Sequence, residues 1–271
     1  MRSNAAGPPP RPVRPGGEVP IRLLKRALLL LVLAWVAVVT LLFVFQRSLL
    51  YPVPPPAELP VDTLWVKAGD LRVPMLERGP GRSPDAPSAT WFHGNAAQIA
   101  TSVWVADALA DRGISLVLAE YPGYGGAPGS PDEAGFLAAA RATLGALPTK
   151  GACIGQSLGT GVAAAMAAEG RCTALVLVSP YTSLANVATF HYPFVPGFLV
   201  RDRLDTLARA SSIAVPTLVL HGRSDDVVPL AMGRAVAAAI PGAHFVERDG
   251  GHNDLLDAAA FDTIADFVRG Q

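Results

Sequence analysis

The sequence predicts an α/β fold, a parallel sheet covered by helices on both faces, preceded by one transmembrane helix. Three observations predict it. From about residue 61, short apolar runs alternate with longer Ala-rich segments of helical character, the rhythm of strands buried on both sides by crossover helices. Ahead of that region lies a run of nineteen residues without a charge, Ala27 to Phe45, about 28 Å long as a helix and close to the hydrocarbon thickness of a bilayer. Third, the 271 residues are 51% hydrophobic and only 16% charged, which excludes intrinsic disorder over most of the length.

Residues 1–26 read as a disordered basic tail, rich in Pro, Gly and Arg. They hold six positive side chains (Arg2, Arg11, Arg14, Arg22, Lys25, Arg26) against Glu18, so the net charge of zero hides a basic start. The balanced charge gives no reason to expect nucleic acid as a partner. Residues 27–45 read as an uncleaved anchor. A signal peptide has an apolar region of about 7 to 15 residues ending in small side chains, whereas this run is longer and ends Phe43-Val44-Phe45-Gln46-Arg47. The positive cluster before it keeps the amino terminus in the cytoplasm and the main domain outside. That compartment is periplasmic if the Ala- and Arg-rich, Lys-poor composition reflects a GC-rich bacterium. Residues 46–60, with the Pro-dense Tyr51–Pro60, read as an extended linker standing the domain off the membrane.

Residues 61–271 form the predicted α/β domain. Strands are expected at 63–68, 71–77, 89–92, 115–119, 152–154, 174–178, 217–220 and 243–247, and helices near 97–112, 131–147, 158–169, 230–239 and 254–268. Residues 180–212 break the rhythm with aromatics and prolines and read as a small cap, being too long for an ordinary loop.

The chemistry starts at Gly155-Gln156-Ser157-Leu158-Gly159, between a strand and an Ala-rich helix. In such an elbow the glycines relieve crowding in a sharp turn that lifts the serine hydroxyl above the sheet. The Leu158 N–H then stands at a helix amino terminus, where it can receive an oxyanion. A serine nucleophile needs a base and an orienting acid. Asp225 follows the strand 217–220, and His252, in Gly250-Gly251-His252, follows the last strand. The order Ser157, Asp225, His252 is that of an alpha/beta-hydrolase triad, and all lie past the carboxyl ends of strands, where parallel sheets hold their sites. His93-Gly94-Asn95-Ala96 follows the strand 89–92 and makes the Asn95 amide the expected second oxyanion donor.

These motifs resemble the alpha/beta-hydrolase superfamily, and within it the membrane-anchored serine hydrolase branch related to the serine aminopeptidase-like domain. The resemblance is carried by Gln46-Arg47-Ser48-Leu49-Leu50-Tyr51-Pro52, Phe92-His93-Gly94-Asn95-Ala96, Tyr121-Pro122-Gly123-Tyr124-Gly125 and the elbow. Further matches are Ser179-Pro180-Tyr181-Thr182-Ser183, Arg201-Asp202-Arg203, His221-Gly222-Arg223-Ser224-Asp225 and Gly251-His252-Asn253-Asp254. It implies a mostly parallel eight-stranded sheet, Ser157 as nucleophile, His252 as base, Asp225 as acid, and oxyanion amides from Asn95 and Leu158. Relatives are esterases, peptidases or enzymes that remove fatty acyl groups from proteins. Pro122 stands where relatives usually have Arg, and Gln156 replaces the commoner His or Glu beside the serine.

Competing readings sharpen the expectation. Asp226 is adjacent to Asp225, but the spacing from His221-Gly222 to Val228-Pro229 favours Asp225. His93 and His221 read as structural, and His244 and His191 as structural or surface groups. None of the five histidines has zinc-ligand spacing, so neither metal nor any other cofactor is expected. Gly159-Thr160-Gly161 fits close helix packing better than a dinucleotide fingerprint, because the following strand ends without an acidic residue. Cys153 and Cys172 read as buried small apolar residues, with a disulfide open to them if they approach within about 7 Å. Asp202 and Asp205 read as a solvated ion-pair surface with Arg201 and Arg203, although in an aminopeptidase they would bind a substrate amine. The expected activity is hydrolysis of an ester, thioester or amide of a small or acylated substrate, with a peptidase or a non-catalytic binding module as the alternatives.

Overall fold

The computed structural model describes Gly7, residues 21–82 and residues 86–271. Most of the expected basic tail therefore lies outside the described residues. The chain divides into two compact units, Met1–Val44 and Phe45–Gln271.

Helix α1 (Ile21–Leu50) is the one helix, among the described residues, long and apolar enough by length and composition to cross a membrane, its most apolar 18-residue stretch having a mean hydropathy of 3.1. It extends beyond the apolar run at both ends, since Arg22, Lys25, Arg26 and the 46–50 turn are good helix formers. It stops at Leu50 because Tyr51 precedes Pro52, whose ring disfavours the helical conformation of the residue before it.

The second unit is built on an eight-stranded sheet in the order β1-β2-β4-β3-β5-β6-β7-β8. The strands are β1 (Leu64–Ala68), β2 (Leu71–Arg78), β3 (Ser88–Phe92), β4 (Ser115–Ala119), β5 (Ala152–Gln156), β6 (Leu175–Val178), β7 (Thr217–Gly222) and β8 (His244–Arg248). β1 and β2 pair antiparallel, as do β2 and β4, while the pairs from β4 through β8 are parallel. All eight expected strands are present within two residues of their expected limits.

Two apolar layers cover the sheet. Helices α3 (Glu133–Gly145), α4 (Leu158–Ala168) and α7 (Leu230–Ala239) bury one face. Helices α2 (Val103–Ala110) and α8 (Ala258–Arg269) bury the other. β6 shows why its strand has no polar alternation. Leu175 and Leu177 enter the first layer and Val176 and Val178 the second, so every position must be apolar. The cap carries α5 (Leu184–His191) and the short α6 (Thr206–Arg209).

Two expectations are corrected here. Cys153 in β5 and Cys172 after α4 are joined as a disulfide, with Cα atoms 5.6 Å apart. The parallel pairing of β5 with β6, which sets Cys153 beside Leu175, brings together two thiols that are 19 positions apart in the chain. The segment 46–60, expected as a spacer, packs on the domain. Tyr51 is 3% exposed and meets Phe136 edge-on at 5.0 Å. Gln98 accepts from the Ala57 N–H at 3.1 Å and donates to the Pro55 carbonyl at 3.0 Å. Proline removes donors from this segment, and Gln98 serves one of the remaining donors and one carbonyl.

Candidate active site

Ser157 occupies the turn between β5 and α4 with φ +48° and ψ −116°, a conformation that L-residues rarely adopt. Its surroundings over-determine it. The Ser157 N–H donates to the Val178 carbonyl at 2.9 Å, and its own carbonyl accepts from the Thr160 hydroxyl at 2.6 Å. A Cβ on Gly159 would lie 2.0 Å from the Phe92 carbonyl oxygen, and one on Gly155 would lie 2.4 Å from the Gly159 carbonyl oxygen. The glycines of the motif are thus required by backbone passing backbone.

The three residues that the sequence nominates meet past the carboxyl ends of β5, β7 and β8. Ser157 Oγ and His252 Nε2 are 2.8 Å apart, and His252 Nδ1 and Asp225 Oδ2 are 2.8 Å apart. Asp225 Oδ1 accepts from the N–H groups of Val227 at 3.0 Å and Val228 at 2.7 Å. That fixes the imidazole: Nδ1 donates to the carboxylate and Nε2 accepts from the serine hydroxyl. Burial pushes the Asp225 carboxyl up, but the His252 hydrogen bond and the Val228 N–H more than offset it, leaving the group below the usual carboxylate range. Asp226, the neighbour, is exposed.

Asn95 and Leu158 line the same cavity as Ser157 and His252. Among the described residues, neither backbone N–H is spent on a protein acceptor. The Asn95 side chain is tied on both sides. It donates to the Leu50 carbonyl, at the end of α1, and accepts from the Tyr124 hydroxyl at 2.7 Å. Behind it lies a pair that the sequence reading missed. His93 Nε2 is 2.7 Å from Glu120 Oε1 and its Nδ1 is 2.8 Å from the Gly94 carbonyl oxygen. Glu120 also accepts from the N–H groups of Tyr121 at 3.0 Å and Ile99 at 2.9 Å. Both ring nitrogens face oxygen atoms, and both side chains are within 1% of complete burial. The signal was present in the sequence: Glu120 is a lone charge directly after the wholly apolar Leu116–Ala119.

The cavity is about 400 Å³. Besides the groups above, Leu50, Leu184, Val187, Val227 and Gln156 line it. Gln156, one of the departures from the family pattern, is therefore in the pocket wall. His191 is exposed and bonded to the Val227 carbonyl at 2.8 Å, and His244 is exposed at the start of β8. His221 is fully buried, with Nε2 donating to the Val228 carbonyl at 2.9 Å. Asp202 departs from expectation. It is 4% exposed and takes two hydrogen bonds of 3.0 Å from Arg47, not from Arg201 or Arg203. Asp205 caps α6 through the Ala208 N–H at 2.9 Å. Neither carboxylate lines the cavity. Among the described residues there is no cluster of three His, Cys, Asp or Glu side chains that could hold a metal ion.

Comparison with known proteins agrees with this architecture. A family model described as alpha/beta hydrolase fold matches residues 186–259. An uncharacterized protein of Mycobacterium tuberculosis (strain H37Rv) is 38% identical over 276 residues, covering 90% of this chain and 96% of that protein. Protein ABHD12B of Homo sapiens is 33% identical over 179 residues, covering 55% of this chain and 48% of its own. Among solved structures, the esterase Pf2001 of Pyrococcus furiosus superposes with a TM-score of 0.66 at 16% identity, over 80% of this chain and 98% of that one. Sheet order, elbow and these likenesses converge, and the chain belongs to the alpha/beta hydrolase superfamily.

Proposed function

We propose that this chain is a membrane-anchored serine hydrolase that cleaves an ester or thioester through an acyl-enzyme. The observation that carries the proposal is the unbroken chain of 2.8 Å hydrogen bonds from Ser157 through His252 to Asp225 at the wall of a cavity. Ser157 Oγ attacks the substrate carbonyl carbon while its proton passes to His252 Nε2. Asp225 stays ionised, holds the tautomer and stabilises the imidazolium. The N–H groups of Leu158 and Asn95 receive the oxyanion. Collapse expels the leaving group, which takes its proton from His252, and water then attacks the acyl-enzyme with His252 again as base. The apolar lining by Leu50, Leu184, Val187 and Val227 favours an apolar acyl group, and the likeness to a protein described as an esterase is in keeping with that substrate class.

Residues 27–45 serve as the anchor, with the amino terminus cytoplasmic and the hydrolase domain on the far side. The basic residues ahead of the run support this orientation, as does a disulfide, which persists in oxidising compartments.

The test is labelling of the full chain with a fluorophosphonate, wild type beside Ser157→Ala. Labelling that disappears in the variant is expected. A folded wild type that takes no label, and hydrolyses no short-chain ester, sinks the enzyme reading and leaves a binding module. The orientation is tested separately by protease access to the domain in spheroplasts.

A further inference from the structure

One stretch of the cap holds large apolar side chains at the surface of its unit. Phe190, Tyr192, Phe194 and Phe198 are 56%, 52%, 48% and 79% exposed. An exposed aromatic group on this scale marks a contact surface. What it contacts is indicated by the residues bonded to the same stretch. Gln46 donates to the Leu199 carbonyl at 3.3 Å and accepts from the Arg201 N–H at 2.8 Å. Arg47 holds Asp202 through two hydrogen bonds of 3.0 Å. Gln46 is the first polar residue after the nineteen-residue apolar run. Leu199, next to Phe198, thus lies within one side chain of the point where the apolar run ends.

We infer that the segment Phe190–Phe198 docks on the lipid bilayer, its rings seated among the headgroups of the leaflet from which α1 emerges. The inference rests on reading α1 as membrane-embedded. Its chemistry is that of interfacial aromatic belts, where ring bodies leave water while polar atoms stay hydrated. The bonds of Gln46 and Arg47 fix the height of the segment at that interface. One consequence concerns access. Leu184 and Val187, on the helix that leads into this segment, line the cavity, as does Leu50, five residues beyond Phe45. An ester resident in the bilayer would then meet the cavity without crossing bulk water.

The experiment uses the full chain in phosphatidylcholine vesicles. Its two cysteines are joined to each other, so one introduced cysteine can carry an environment-sensitive fluorophore. The labelled positions are Phe198→Cys, Val36→Cys within the apolar run, and the exposed Asp111→Cys near the amino end of β4. Two sets of lipids are the quenchers, one carrying a nitroxide near the headgroup for position 198 and one carrying it deep in the acyl chain for position 36. The expected result is quenching at positions 198 and 36 with none at 111. Quenching at 36 but not at 198 overturns the docking surface and leaves the anchor standing. No quenching at 36 overturns the anchor and this inference with it. Equal quenching at 198 and 111 indicates indiscriminate adsorption and also overturns it.

A second readout separates docking from folding. The triple variant Phe190→Ser/Phe194→Ser/Phe198→Ser should cleave a water-soluble nitrophenyl ester at the wild-type rate and a vesicle-resident ester about tenfold more slowly. Equal loss on both substrates overturns the proposed role.

Discussion

The elbow and the cap lie next to each other and are built by opposite means. In the elbow, every residue of α4 up to Ala167 is buried, backbone runs against backbone, and Ser157 is held at a positive φ. In α5 of the cap, only Leu184 and Ala185 are buried, and the segment beyond it turns its rings outward. The cap is joined to its surroundings chiefly by side chains, through Gln46, Arg47 and Glu133, which accepts from the N–H groups of Arg203 at 2.7 Å and Leu204 at 3.0 Å. The difference teaches a division of labour. Reacting atoms need a geometry that cannot relax, whereas the surface that admits substrate needs adjustable contacts.

Glycine substitutions test that contrast most severely. In Gly159→Ala the new Cβ would meet the Phe92 carbonyl oxygen at 2.0 Å, and a backbone atom in a central strand cannot give way. Loss of soluble, cooperatively folding protein is expected. In Gly197→Ala the nearest atom is Thr189 Oγ1 at 2.9 Å, a side-chain atom that can give way by releasing its hydrogen bond to the Ala185 carbonyl. Stability there should fall by only about 1 kcal/mol. Thermal melts of both variants decide the matter, and similar losses in both would erase the distinction between the regions.

The disulfide adds to the rigid side. It joins β5, four residues before Ser157, to the chain beyond α4, so the whole elbow lies within its loop. Opening a loop of this size typically costs about 3 kcal/mol. Denaturant midpoints for wild type and Cys153→Ala/Cys172→Ala should differ accordingly. Coincident midpoints, with two reactive thiols in the wild type, would show that the staple is absent.

How much of this was legible in the sequence depended on range. The strands and the elbow were readable because apolar runs and Gly-x-Ser-x-Gly are local patterns. The order Ser157, Asp225, His252 was readable because a parallel sheet sends each strand end to the same rim. Partnerships that depend on which strand lies beside which were not. The Cys153–Cys172 bond follows from β5 pairing with β6, and Asp202 finds Arg47 across 155 positions. Residues 46–60 read as a spacer because prolines suggest an extended chain, and nothing local announces that Tyr51 will reach Phe136. Nothing local pairs Glu120 with His93, which is 27 positions away, just past the end of the neighbouring strand.

Glu120 also tests whether the rigidity extends to the candidate oxyanion loop. In Glu120→Gln the amide would turn a donor toward His93 or toward the N–H groups of Tyr121 and Ile99, which need acceptors. The loop carrying Asn95 should shift. Removing an oxyanion donor outright costs about 100- to 1000-fold in kcat, so misplacing one should cost about 10- to 100-fold. KM should move little and fluorophosphonate labelling should persist but slow. A variant that loses stability while its surviving fraction keeps full kcat would make the pair purely structural.

The smallest expected effect concerns His221, which stands behind Asp225 with Nε2 3.4 Å from Oδ2. Burial lowers the pKa of this ring below its ordinary value of 6.5, against the opposing pull of the Val228 carbonyl and Asp225. The folded ring stays neutral where the unfolded ring takes a proton. Stability therefore falls as pH drops below about 6.5, until the folded value is reached. Between about pH 6.5 and 5.5 the loss from one such group is at most about 1 kcal/mol. His221→Gln, which can still donate to the Val228 carbonyl, should flatten the acid side of the stability curve by that amount. An unchanged curve would mean that the ring binds its proton equally well in the folded and unfolded chain. A charged His221 would compete with His252 for Asp225, whereas a neutral one leaves that carboxylate to hold His252 in the tautomer that the serine requires.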